Sequence, residues 1–260
     1  MDRLIYTSLN ALDAVTERTA LSAQNLANMG VPGFRRDMTQ SAGAAFLVPG
    51  GPGQEDGGTS RAFRLDSGQN GFSRAEGRVE RTGDPMDISL SQGGFLIIAP
   101  AAGGAPALSR RGDLRVADDG SLTNGAGDRL LGSDLGPIRL PPFRSIAIDE
   151  VGQVLVEPRD GAPGERVLAG VIATVSPPAA LALAKGPDGQ IRRADGGDLP
   201  PPDQIAQVMQ GQREGSNVTA TDELVETLEL QRSFEVNLRM IQTAREIDEA
   251  GAALLRMPGG

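Results

Sequence analysis

Residues 213–256 read "REGSNVTATDELVETLELQRSFEVNLRMIQTAREIDEAGAALLR", and the reading of this stretch decides the fold. No Pro or Gly interrupts it from Val218 to Ala250, which predicts one helix roughly 50 Å long at 1.5 Å per residue. Asn217 or Thr219 is placed to cap its start, and Thr219 with Asp222 matches a loose capping box. At 100° per residue, Leu224, Leu228, Gln231, Phe234, Leu238 and Ile241 gather on one side. Val225, Val236, Met240, Ile247 and Leu254 gather on roughly the opposite side, with Glu223, Glu226, Glu229, Glu235 and Glu249 between them or at their margins. A helix lying on a globule carries one apolar stripe. This one carries two, and a single partner covers only one. Leaving the second in water would forgo on the order of 1.5–3 kcal/mol per aliphatic side chain. A helix sandwiched inside a larger globule and a helix made to polymerise both satisfy the pattern.

The first thirty residues repeat the helical theme. Ile5, Leu9 or Ser8, Leu12, Val15 or Thr16, Thr19, Ala23 or Ser22, and Leu26 fall three and four apart, the spacing of one helix face. The stripe begins apolar and turns small and polar toward Asn25 and Asn28. "NMGVPGFRR" then ends it: Gly30 suits the left-handed position past a helix end, and Pro32-Gly33 favours a type II turn. A helix of roughly 30 residues is marginal alone in water and draws its stability from partners, so the two terminal helices are expected to pair.

Between them the texture changes. From about 85 to 180, short aliphatic runs such as "FLIIA", "QVLVE" and "VLAGVIATV" alternate with Gly, Asp, Asn and Pro turn signals, the mark of short antiparallel strands. Residues 41–60 are Gly- and Pro-rich without periodicity and read as a flexible loop. The expected fold class is α+β. Residues 1–33 and 216–256 form paired, coiled-coil-like terminal helices, 85–180 an inserted antiparallel β domain, and 34–84 and 181–215 extended or loop connections.

Composition narrows the function. The 260 residues contain no Cys, no His and a single lysine, Lys185, which removes the usual general base, thiolate and imidazole metal ligands, and Ser-His or Cys-His nucleophiles. No catalytic, cofactor-binding or metal-ligating residue is expected, and the chain reads as a non-enzyme. A net charge of −9 argues against nucleic acid, which needs a clustered basic face. No cleavable secretory signal and no run of about 20 apolar residues is present. Export would therefore take a route that reads no cleaved signal, and no membrane insertion is expected.

Five ordered segments, "MDRLIY", "LSAQNLANMGVPGFRR", "RTGDPMDISLSQGGFLI", "SRRGDLRVADDGSLTNGAGDRLLG" and "EGSNVTATDELVETLELQRSFEVNLRMIQTA", resemble the signature segments of the bacterial flagellar rod and hook family. Asn25, Leu26, Ala27, Asn28, Gly33 and Phe34 match its "NLAN…GF". Gly94 and Phe95 match its "GF", with Gln92 where another Gly is common. The segment 213–217 carries its "EGSN", and Arg232, Phe234 and Glu235 match its "RxFE". Leu96 and Leu114 stand where relatives often carry aromatics.

The resemblance implies a structural subunit of the basal-body rod. The opening residues and length point to the proximal rod, with a distal rod subunit as the alternative within the family. A secreted β-domain binding module dimerising through its helices is the alternative outside it. In that family the terminal helices form the inner axial layer and the β domain lies outside it. Subunits leave the cell unfolded through the flagellar type III export apparatus, assemble in the periplasm and help transmit torque. Implied partners are other rod subunits, copies of the chain itself and the export apparatus. The expected subunit interface draws on Ile5, Leu9, Leu12, Asn25, Leu26 and Asn28 of the first helix. From the second it draws on Leu224, Leu228, Phe234, Val236, Leu238, Met240, Ile241 and Ile247, with Asn25 and Asn28 hydrogen-bonding across a subunit contact.

Smaller motifs read as local structure. "RGD" at 111–113 is read as a turn, "NVT" at 217–219 as a helix cap, and Asp118, Asp119, Asn124 and Asp128 as hairpin residues without the spacing of a calcium loop. Asp84, Asp87, Asp113, Asp149 and Glu150 have no sequence signal that would bring two of them together.

Overall fold

The computed structural model describes residues 2–39, 42–48, 59–65, 71–91, 93–186 and 188–255. The chain is α+β and divides into two units. One comprises Met1–Leu26, Thr39–Ser67 and Thr219–Gly260; the other comprises Ala27–Met38 and Gly68–Val218.

In the first unit, helix α1 spans Asp2–Ala27 and helix α2 spans Ala220–Leu255. Thr219 is the N-cap residue of α2: its hydroxyl bonds to the Asp222 carboxylate and its carbonyl accepts the Glu223 amide at 3.2 Å. Asp222 and Glu223 also place negative charge on the first turn, where the helix dipole favours it. The helices pair antiparallel, since Arg18 meets Glu226 while Ser22 and Asn25 meet Glu223. The same unit contains an antiparallel hairpin of Ala42–Val48 against Thr59–Leu65, with Ala44 opposite Phe63. The expected loop at 41–60 is thus corrected to strand over 42–48 and at 59–60. Backbone pairing overrides the Gly-rich composition, with Phe and Val suiting strand geometry. Residues 49–58 lie outside the described residues.

α1 ends at Ala27 rather than running on to Gly30. The Val31 amide bonds to the Asn28 carbonyl at 3.0 Å. The left-handed backbone falls at Gly33, with φ +65°, the third position of a type II turn led by Pro32 and closed from Phe34 N–H to Val31 C=O.

The second unit is antiparallel β throughout. Its largest sheet runs Leu183–Lys185, Ile191–Arg193, Ala107–Ser109, Phe95–Ala99, Arg129–Leu130, Leu122–Asn124, Leu114–Val116, with Thr174–Val175 also pairing Phe95–Ala99. A three-stranded sheet is built from Phe143–Ile148, Gln153–Pro158 and Val167–Val171. Strand Phe95–Ala99 reads as an unbroken apolar run because both its faces are covered. Leu96 and Ile98 join one core with Leu122, Leu130, Val154 and Val156; Phe95 and Ile97 join another with Leu108, Val175 and Ile191. Side chains alternate sides along a strand, so adjacent residues serve different cores.

Strands also occur in the segments expected to be connections. Asp37–Met38 pairs Gly71–Phe72, Val79–Arg81 pairs Gln212–Glu214, and Ile88–Leu90 pairs Val208–Gln210. These ribbons carry the chain from the end of α1 into the sheet and back toward α2.

Candidate functional site

Where the chain enters and leaves the β unit, it is tied by buried ions. Glu214 is 1% exposed and faces two arginines. The Arg110 Nε donates to its Oε2 at 2.7 Å, and Arg35 Nη1 lies 2.9 Å from its Oε1. The Gly77 amide donates to Oε1 at 2.8 Å, and the Gly33 amide donates to the Glu214 carbonyl at 2.8 Å. Arg110 and Arg35 also donate to the carbonyls of Gly94 and Ala75, so each buried guanidinium has several acceptors. Burial pushes the Arg35 guanidinium below its ordinary value, and the Glu214 carboxylate opposes that shift.

Close backbone approach explains the glycines here. A Cβ at Gly33 would sit 2.2 Å from the Arg110 carbonyl oxygen, and one at Gly77 2.0 Å from that of Gly215.

Asn217 completes the tie. Its Oδ1 accepts the Arg36 amide at 2.7 Å, its Nδ2 donates to the Ala75 carbonyl at 2.7 Å, and its own amide donates to the Phe34 carbonyl. It therefore braces the strand–helix junction, and Thr219 takes the capping role. Lys185 reaches the same place from the sheet, donating to the Arg35 carbonyl and meeting the Asp37 carboxylate, each at 2.7 Å. Its ammonium lies 3.9 Å from the Phe34 ring centre. The "GFRRD" and "REGSN" segments are thus two halves of one junction.

The helix pair is organised in the opposite sense. The side of α2 withdrawn from water holds Glu223, Leu230 and Ala244, buried, with Glu226, Thr227, Ser233, Asn237 and Ile241 half-buried. From α1, Ser8, Val15, Leu21, Ser22 and Asn25 are buried. Ser22 Oγ donates to the Glu223 carboxylate at 2.7 Å and lies 3.2 Å from Thr227 Oγ1, and Asn25 Nδ2 donates to Glu223 at 3.3 Å. The seam therefore mixes small and polar groups with a few aliphatic ones.

Both apolar stripes of α2 remain outside it. Leu224, Val225, Leu228 and Val236 are each 50–57% exposed, and Phe234, Leu238, Met240 and Ile247 are exposed as well. The two terminal helices pair, yet α1 does not lie over these stripes. Within the chain it covers neither; only Ile241, at that stripe's edge, is half-buried. On α1, Leu9 and Leu26 are exposed and Leu12 is half-buried. The side chains of Ile5 and Leu254 lie outside the described ones. Asn25, expected to bond across a subunit contact, finds a partner within its own chain, and the Asn28 carbonyl serves the turn after α1.

The lesser motifs are absorbed locally. Arg111 and Asp113 of the RGD triplet bond each other twice, at 2.8 and 3.0 Å. The side chains of Asp119 and Asn124 accept turn amides, and Asp84 and Asp149 do the same. Among the described residues no group of three His, Cys, Asp or Glu is placed to hold a metal ion, and no helix is long and apolar enough to cross a membrane.

Comparison with known proteins gives a consistent picture. The family described as "Flagellar basal body rod FlgEFG protein C-terminal" matches residues 209–254. That span holds Glu214, Asn217 and nearly all of α2. The chain is 28% identical to the flagellar basal-body rod protein FlgF of Salmonella typhimurium, over 99% of this chain and 100% of that one. It is 26% identical to FlgF of Caulobacter vibrioides, over 98% of each chain. It is also 25% identical to the flagellar basal-body rod protein FlgG of Bacillus subtilis, over 95% of this chain and 97% of the relative.

Proposed function

We infer that this chain, a member of the flagellar basal-body rod FlgEFG family, is a structural and non-enzymatic subunit of the proximal rod that assembles through its terminal helices. One observation carries the assembly reading. α2 leaves two aliphatic stripes in water while its own partner helix covers a polar one. Single apolar side chains at a surface need no explanation, but rows of them along a helix mark an interaction surface. Copies of the chain and other rod subunits supply the missing cover, one neighbour to each stripe. The β unit has two apolar cores of its own.

The proximal position is supported by the near-full-length similarity to FlgF proteins of two organisms; the distal rod is the alternative. Passage through the flagellar type III export apparatus and assembly in the periplasm follow from the family reading. A chain without Cys has no thiol to oxidise in that compartment. Torque passes along the rod through the same helix contacts.

Mass spectrometry of purified basal bodies tests this. The full chain should co-purify at levels comparable with other rod subunits, and a chain lacking residues 218–256 should be absent, with motility lost. Absence of the full chain from otherwise complete basal bodies would overturn the proposal and favour a secreted β module that dimerises through its helices.

A further inference from the structure

Among the positions withdrawn from water, a set recurs every seven residues on both helices: buried Ser8, Val15 and Ser22 on α1, and on α2 buried Glu223, Leu230 and Ala244 with half-buried Asn237. Sevenfold spacing makes alignments one heptad apart nearly equivalent in shape. The buried apolar residues of this seam are too few to discriminate among such alignments. Sliding by seven would bring Glu223 from Ser22 to Val15 and Leu230 from Val15 to Ser8, and most small side chains would still fit.

Glu223 is the exception. In the observed alignment its carboxylate, 1% exposed, accepts from Ser22 Oγ at 2.7 Å and from Asn25 Nδ2 at 3.3 Å. Its carbonyl accepts from Thr227 Oγ1 at 2.7 Å, with Ser22 Oγ 3.3 Å away. A slip removes the Ser22 and Asn25 donors. A buried carboxylate deprived of its donors is penalised far more than a neutral side chain of equal size. A buried carboxylate in an otherwise repetitive seam is a physical means of specifying register, at a cost in stability.

We infer that Glu223, gripped by Ser22 and Asn25, is a register-setting residue that selects one of several heptad-equivalent alignments of the two terminal helices. The inference concerns a single chain and does not depend on what covers the apolar stripes. Its consequence for assembly is geometric. A one-heptad slip displaces α2 along α1 by about 10 Å at 1.5 Å per residue, so the two helices would no longer present their faces to neighbours together.

The chain has no Cys, so introduced thiols are the only ones. In the full-length protein, Arg18→Cys with Glu226→Cys reports the observed register, because these side chains meet at 2.8 Å. Ala11→Cys with Glu226→Cys reports a slip of one heptad. Each pair is treated with a thiol cross-linker shorter than the ~10 Å heptad rise, and the adducts are counted by mass spectrometry. With Glu223 intact the first pair should dominate. Glu223→Leu should lower the ratio of in-register to slipped adduct by at least about tenfold, or about 1.4 kcal/mol, with the helical circular-dichroism signal retained. Glu223→Gln, which keeps a hydrogen-bonding head, should preserve the parent ratio.

An unchanged ratio in Glu223→Leu overturns the inference, because the chain connections alone would then set the register. Equal linking of both pairs in the parent overturns it too. So does a fall in ratio that accompanies loss of helix, which would make Glu223 a stabilising residue and not a selecting one.

Discussion

Glu214 and Glu223 stand nine residues apart and are each 1% exposed, yet their surroundings are of opposite kinds. Glu214 sits between Arg35 and Arg110 in a β unit with aliphatic cores, where buried charge meets buried charge. Glu223 has a hydroxyl and an amide among its partners, in a helix seam whose neighbouring apolar stripes face water. The first arrangement finds its charged partners inside the β unit. The second buries polar groups and exposes apolar ones, so the pair cannot draw much stability from its own seam. The difference separates a part of the molecule whose apolar groups are covered within the chain from a part whose apolar stripes are not.

The comparison can be broken at several points. Glu214→Ala removes the buried counter-charge shared by Arg35 and Arg110, leaving the half-exposed Glu76 carboxylate 3.5 Å from Arg110, and should cost about 3–5 kcal/mol. Denaturant unfolding of the β signal checks this, and a loss under about 1 kcal/mol would mean the junction is wetter than its geometry indicates. Gly33→Ala forces a left-handed residue to carry a Cβ against the Arg110 carbonyl. Backbone strain and overpacking together should cost at least about 2 kcal/mol, read in the same unfolding experiment.

Leu228→Ser should change the stability of the free chain by no more than about 0.5 kcal/mol, as for other exposed positions, while sharply reducing incorporation into basal bodies. A loss above about 2 kcal/mol in the free chain would show that the stripe is covered within the chain, and the contrast would fall.

The smallest effect is a pH dependence. Burial pushes the Lys185 ammonium below its ordinary 10.5, opposed by its bond to Asp37. Between the lowered folded value and 10.5 the unfolded chain holds more protons, so stability should rise gently with pH across that window. The unfolding midpoint followed over alkaline pH should show that slope in the parent and lose it in Lys185→Met.

Much of the α+β layout was legible in the residues. The absence of Pro and Gly from 218 to 250, with Thr219 before Asp222, marked α2 closely, and the turn signals between aliphatic runs marked the strands. The hairpin over 42–65 was not legible, because its composition resembles a loop and its order comes from cross-strand bonds. The junction lay inside quoted motifs, yet Arg35, Arg110 and Glu214 were not singled out. Charged residues near helix ends usually face solvent, and nothing local reveals that they converge across 104 and more residues of chain. The "GFRR" and "REGSN" segments, each a charge beside a glycine, were the available signal.

By itself the sequence determined the helices, the β texture, the absence of imidazole and thiol chemistry, and the two greasy stripes of α2, since each follows from local periodicity or composition. Only the tertiary structure decided which face of α2 meets α1. Periodicity shows that a face is apolar, not whether its own chain covers it. Here the covered face carries Glu223, Thr227, Leu230 and Asn237 while Leu224, Val225, Leu228 and Val236 stay in water, and the partners of Glu223 lie about 200 residues away in sequence, where no local pattern shows them.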